Sequence, residues 1–400
     1  MLTDDSLSVD FSEFSLSTEN SEFYEDNVPT YTVAVIGSCG AGKSTLINNI
    51  NCMFTHSDIS EAAKNPLPLL MPVSFYHQIP KQRNLVQVEI KQPENLNERF
   101  NGSSHSVTFE PMDYVVDFKD FRIRFIDTPG TDDPRGNDQD KLNVNAIVEH
   151  LNLLPEVHGF LFVIKNNAEN NSICNTLRLL LGVLPPCALK NCFFVYTFTD
   201  MTPFKPGSAP YILEKFITKF RRDHNTADLQ LTADNQFYVN NFSFLDLCAR
   251  QAGFGGRSTT LYRNTWDTSR LYVSKFLEKV QTVEPVMRID FVKTREFIKI
   301  GELLRLIKPP KSAESDRLMA TVANATLNGT AISFRNRTKY VRQLCSDTDW
   351  AEAEDYWDVH DSQISDAIRS LRPVLHGEPD FEPKHPNQTN RVGSASVRHR

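Results

Sequence analysis

Gly37-Ser38-Cys39-Gly40-Ala41-Gly42-Lys43-Ser44 fits the pattern GxxxxGK[ST]. The physical content of the pattern is a loop whose glycines let successive backbone N–H groups turn inward around an anion. Lys43 is expected to add a cation that reaches the β- and γ-phosphates, and the Ser44 hydroxyl to ligate magnesium. The context is the required one. Thr32-Val33-Ala34-Val35-Ile36 precedes the loop as a continuous apolar run, the signature of a parallel strand covered on both faces. Leu46, Ile47 and Ile50 follow it at helical spacing, so a helix N-terminus is aimed at the anion. Gly37 to Thr45 is therefore the expected phosphate-binding segment.

Working downstream, Tyr114 to Phe118 and Phe121 to Ile126 read as two strands joined at Lys119-Asp120. Asp127-Thr128-Pro129-Gly130 closes the second strand. Asp127 is expected to hold magnesium and Gly130 to sense the γ-phosphate through its N–H. Ahead of the hairpin, Thr108 is the candidate for a magnesium ligand present only in the triphosphate state, with Ser104 and Ser106 as rivals.

The remaining pattern alternates strands and helices: a helix near 139–154, the strand Gly159 to Ile164, a helix at about 169–184, the strand Cys192 to Thr197, a helix near 210–222, a strand Gln236 to Val239, and a long helix near 262–284 carrying Trp266 as a packing anchor. This order predicts an α/β fold with a mostly parallel sheet flanked by helices. The expected domain runs from 30 to 285, with a Pro-rich insertion at about 55–105 that includes a strand at Leu85 to Ile90.

On either side lie an acidic tail (1–29), a helical extension (286–372) and a basic tail (373–400). No Lys or Arg precedes Lys43, and both tails are expected to be disordered. From Phe291 to Ile307, apolar residues alternate with Lys and Arg in a basic amphipathic helix that suits a membrane surface or a partner protein, or packs on the domain.

A net charge of −7 argues against nucleic acid as a partner. The seven cysteines form no CxxC pair, which fits a reducing compartment. With no apolar leader and no run of roughly 20 apolar residues, a cytoplasmic location is expected, with peripheral membrane contact as the variant.

The succession GSCGAGKST, Ser106-Val107-Thr108, a hairpin and DTPG resembles the septin-like P-loop GTPases, and among them the immunity-associated (GIMAP-like) and chloroplast-import receptor-like G domains. The resemblance spans about 30–285 and implies GTP/GDP with Mg2+ as ligands, Thr108 as the switch threonine, and a homodimer through the G domains. At the base-reading position Thr197-Phe198-Thr199-Asp200 stands where NKxD or TKxD is usual. Asp200 would pair with guanine, Thr197 would replace the first motif residue, and Phe198 would stack on the base in place of a lysine. Asn241 is the implied second base residue.

Thr131 follows Gly130 where a water-positioning glutamine is usual, which predicts slow hydrolysis. Arg135 suits either a finger on the phosphates or a pair with nearby acids. Cys39, in the phosphate loop at a helix start, is expected to have a lowered pKa and a possible redox role, beside the plainer reading of a small loop residue. A nucleotide-holding module without turnover and an ATPase of the same fold are the alternatives.

Overall fold

The computed structural model describes residues 28–78, 85–90, 98–100, 106–133, 135–199, 204–224, 226–254, 259–291 and 294. The chain divides into two units, Met1–Phe291 and Val292–Arg400, and apart from residue 294 only the first contains described residues.

That first unit is built on a six-stranded sheet. Its central strand β1 (Thr30–Gly37) lies parallel to β7 (Arg122–Asp127) on one side and to β9 (Gly159–Lys165) on the other. Beyond β9 come β10 (Cys192–Thr197) and β11 (Gln236–Tyr238), both parallel; beyond β7 comes β6 (Met112–Asp117), antiparallel at the far edge. Later strands leave β1 in opposite directions, and open α/β sheets bind ligands at the carboxyl end of such a switch point.

The apolar run in β1 is explained by this placement. Val33 and Val35 join one core and Ala34 and Ile36 the other, all with no exposed surface. The first core is closed by α1 (Lys43–Thr55), α6 (Phe242–Gln251) and α7 (Thr259–Val280), the second by α3 (Asn137–Leu151), α4 (Asn170–Leu181) and α5 (Ser208–His224). Trp266 is buried in the first core, in the anchoring role expected of it.

The stretch at about 55–105 carries more structure than a surface insertion. Asp58 caps the short helix α2 (Ile59–Ala62) through its carboxylate. Strands β2 (Val73–Gln78) and β3 (Leu85–Ile90) form an antiparallel pair, and β4 (Glu98–Phe100) pairs with β5 (Ser106–Thr108). Asn48, buried on α1, fastens the segment to the core: its Oδ1 accepts the N–H of Leu70 and of Met71, and its Nδ2 donates to the Met71 carbonyl. Asn51 does the same for the Pro68 carbonyl.

Two further differences from the sequence reading fall in the last third of the first unit. Helix α6 was not expected at all. Packing also continues past residue 285: β12 (Val286–Met287) pairs with β8 (Glu156–Val157), and Phe291 is buried with its ring 6.2 Å from Phe160. Of the amphipathic segment 291–307 only residues 291 and 294 are described, of the proposed extension only 286–291 and 294, and of the two tails only 28 and 29.

Candidate phosphate and metal site

The loop between β1 and α1 is held open by its glycines. Gly40 has φ 68° and Gly42 φ 92°, a region where a side chain is strained. Gly37 has no room for one either: a Cβ there would stand 2.3 Å from the Val163 carbonyl oxygen of β9. Lys43 is buried at the start of α1, its ammonium donating to the carbonyls of Gly37 (3.2 Å) and Ser38 (3.3 Å). Ser44 and Thr45, the next two residues of α1, are half-buried.

Register brings the second motif alongside. Val35 of β1 is opposite Asp127, the last residue of β7. The Ser44 hydroxyl donates to Asp127 Oδ2 at 2.7 Å, and the Thr108 hydroxyl, at the end of β5, donates to the same oxygen at 3.2 Å. Asp127 is fully buried, and its Oδ1 has no hydrogen-bond partner among the described residues. Burial pushes this carboxyl above the usual range, against the opposing pull of Lys43 and the Ser44 and Thr108 hydroxyls. A buried carboxylate with an unused oxygen and two hydroxyls beside it is a donor set that suits a hard divalent cation. Ser106 and Ser104 are not comparable here: Ser104 and the Ser106 side chain lie outside the described residues.

Gly130 is pressed against the phosphate loop. A Cβ on it would fall 2.7 Å from both Cys39 Cα and Cys39 N. The next residue is stitched to the loop: Thr131 N–H donates to the Gly37 carbonyl (3.2 Å), and Cys39 N–H donates to the Thr131 carbonyl (2.7 Å). Asn143 of α3 donates to the Gly130 carbonyl at 2.7 Å. The Thr131 hydroxyl is buried against that of Thr176 on α4, 2.6 Å away.

Arg135 grips Asp133 with two side-chain donors, at 2.9 and 2.7 Å, and this pairing holds the Asp133 carboxyl below its usual range. It is the pair-with-acids alternative of the sequence reading. Cys39 departs from expectation. Burial raises its thiol pKa, and Asp133 and Asp140 add to the effect, while Lys43 opposes it. Its Sγ lies 3.8 Å from Asp133 Oδ2. The helix start does not outweigh desolvation beside two carboxylates.

On the other side of the loop, Thr197 ends β10 with its hydroxyl donating to the Ala41 carbonyl at 2.8 Å. It braces the phosphate loop and is itself fully buried. Asn241 precedes α6. Its Oδ1 accepts from Asn49 Nδ2 (2.9 Å), and its Nδ2 is 3.5 Å from the Gly42 carbonyl. Phe198 has φ 55° and stays half-exposed, with its Cε2 4.0 Å from where a Cβ on Gly42 would sit. Asp200 lies outside the described residues. Asn49, Asn143 and Asp140 were missed in the sequence, because only tertiary packing brings these polar helix residues to the loops.

No family model matches the chain, and no match was found among curated proteins. Solved structures are similar in part. A dimerization-deficient mutant of Toc33 from Arabidopsis thaliana is 15% identical over 64% of this chain and 86% of its own, with a TM-score of 0.38. Toc33 in complex with Mg2+ and GMPPNP is 14% identical over 65% and 89%, with a TM-score of 0.35. The G domain of the T. maritima FeoB iron transporter is 12% identical over 56% and 99%, with a TM-score of 0.25. The strand order, the glycine-rich loop and Asp127 beside it make the described unit an α/β domain of P-loop type.

Proposed function

We propose that the chain binds GTP and GDP with magnesium and acts as a slow GTPase, a nucleotide-dependent switch or scaffold. The observation that carries this reading is the convergence of Ser44 and Thr108 on one oxygen of buried Asp127, the other oxygen having no hydrogen-bond partner among the described residues, beside a glycine-rich loop and its lysine. Ser44, Thr108 and Asp127 would hold the magnesium, which supplies charge neutralisation at the β- and γ-phosphate oxygens. Lys43 would exchange the carbonyls of Gly37 and Ser38 for phosphate oxygens. Gly37 to Thr45 would wrap the phosphates. Asp200 and Asn241 would read guanine, and Thr108 and Gly130 would report the γ-phosphate.

Turnover is expected to be slow. Thr131 is engaged with Thr176 and Arg135 with Asp133, so neither stands ready to orient water or neutralise the transition state. The same observation favours a second reading, a module that holds nucleotide without turning it over. Single-turnover hydrolysis separates the two: slow phosphate release supports the GTPase, and none over hours supports the holding module. An ATPase of the same fold is tested by nucleotide competition. Pairing of two G domains, a cytoplasmic location and contact with a membrane or partner through 291–307 are further proposals. Light scattering with GDP and with a non-hydrolysable GTP analogue tests the dimer.

A further inference from the structure

Lys165 ends β9 directly opposite Thr197 of β10. Its ammonium stands over the Phe198 ring, 5.6 Å from the centroid. The backbone beside both residues is held in place. Phe198 is turned out by its positive φ (55°) immediately after the buried Thr197. Next to Lys165, Asn166 is fully buried and knits together the segments that flank Phe198. Its N–H donates to the Thr197 carbonyl (2.9 Å) and its Nδ2 to the Lys205 carbonyl (3.0 Å). Its Oδ1 accepts the Gly207 N–H (2.9 Å) and its carbonyl that of Ala209 (3.0 Å). The ring edge reaches the rim of the phosphate loop at Gly42, on the side where Asn241 also stands.

We infer that Lys165 and Phe198 together form the platform on which the nucleotide base rests. The ring offers a π-face to the purine, and the cation beneath it polarises and positions the ring. Lys165 is a positioning residue here, acting through Phe198. The inference rests on the nucleotide-site reading above and names a residue that reading does not use. An aromatic platform is sequence-tolerant, because every base has a π-face. Lys165 therefore supports GTP and ATP equally and leaves guanine selection to other groups. Its contribution is that of a partly exposed cation–π contact.

The experiment measures affinities of the full chain for GTP, ATP and ribose 5-triphosphate, with magnesium, for the wild type, Lys165→Met, Lys165→Arg, Phe198→Leu and the double variant Lys165→Met/Phe198→Leu. Lys165→Met should weaken GTP and ATP by a similar factor, about 3-fold, as expected for a cation–π contact. It should leave ribose 5-triphosphate unchanged, and Lys165→Arg should restore binding. Phe198→Leu should cost more, and the double variant should be no weaker than Phe198→Leu alone. An equal loss for ribose 5-triphosphate would make Lys165 a phosphate contact and overturn the inference. So would a loss confined to GTP, or effects that multiply in the double variant. Wild-type binding of the triphosphates reports separately on the nucleotide-site reading, so failure of that reading is not confused with failure of the platform.

Discussion

The Ser44 hydroxyl donates to Asp127 Oδ2 at 2.7 Å, so the first turn of α1 is bonded to the strand beside β1. Two motifs separated by 83 positions become one site through this contact. If the site takes magnesium, each partner is needed for the metal more than for the fold. Ser44→Ala should lower the apparent magnesium affinity of the nucleotide complex roughly 10- to 100-fold. Titrating magnesium against a fixed nucleotide concentration checks this; an unchanged midpoint would remove Ser44 from the site.

Asp127 gives a pH signature. Its carboxyl is held above the ordinary range by burial. Such a group binds its proton more tightly in the folded chain, so its contribution to stability is full below the unfolded pKa and is lost as pH rises through the folded one. In magnesium-free protein, Asp127→Asn should therefore gain stability relative to wild type as pH rises out of the carboxylate range. Urea unfolding of both proteins at several pH values measures that difference; a flat difference contradicts the assignment. With magnesium the order should reverse, because the ion favours the charged form.

Gly130→Ala tests the contact between the two loops. The new Cβ would meet Cys39 Sγ at 2.6 Å and the Cys39 Cα and N at 2.7 Å, and overpacking of this kind costs about 1–3 kcal/mol. The thermal midpoint and nucleotide affinity should both fall. Because the clash involves Cys39 Cα and N, adding Cys39→Gly should not restore either. Full rescue would show that the Cys39 side chain alone was in the way.

Asn48→Ala removes the clamp that ties residues 70 and 71 to α1. Buried groups left unpaired cost about 1–3 kcal/mol each, so unfolding free energy should drop by about 2–3 kcal/mol. Limited proteolysis should cut the variant first between α2 and β2. A loss below ~0.5 kcal/mol, the usual range for surface changes, would mean the clamp is idle.

The legible parts of the molecule were those written in local pattern. Val33 to Ile36, Phe160 to Ile164 and Phe193 to Tyr196 are apolar throughout, because neighbours cover both faces. The phosphate loop declared itself by glycines at fixed spacing. Residues 68–71 did not, since they are tied down by Asn48 and Asn51, polar residues on a helix face that sequence pattern assigns to water. Helix α6 was also missed, although a signal was present: the Asn240 side chain accepts the Phe242 N–H at 2.8 Å, and Phe244, Leu247 and Cys248 follow with helical spacing and are buried. The lowered thiol pKa allowed for at Cys39 does not hold, because burial, which only the fold brings about, outweighs the helix start, with Asp133 and Asp140 adding to it; the plainer reading of a small loop residue stands.

The most direct test of the central claim is calorimetry of the full chain with GTP and with ATP in the presence of magnesium. The proposed function requires GTP to bind more tightly by ~10-fold or more, about 1.4 kcal/mol, with Lys43→Ala abolishing binding of both. Equal or ATP-biased binding would contradict guanine recognition by Asp200 and Asn241. Binding of neither nucleotide would contradict the site itself.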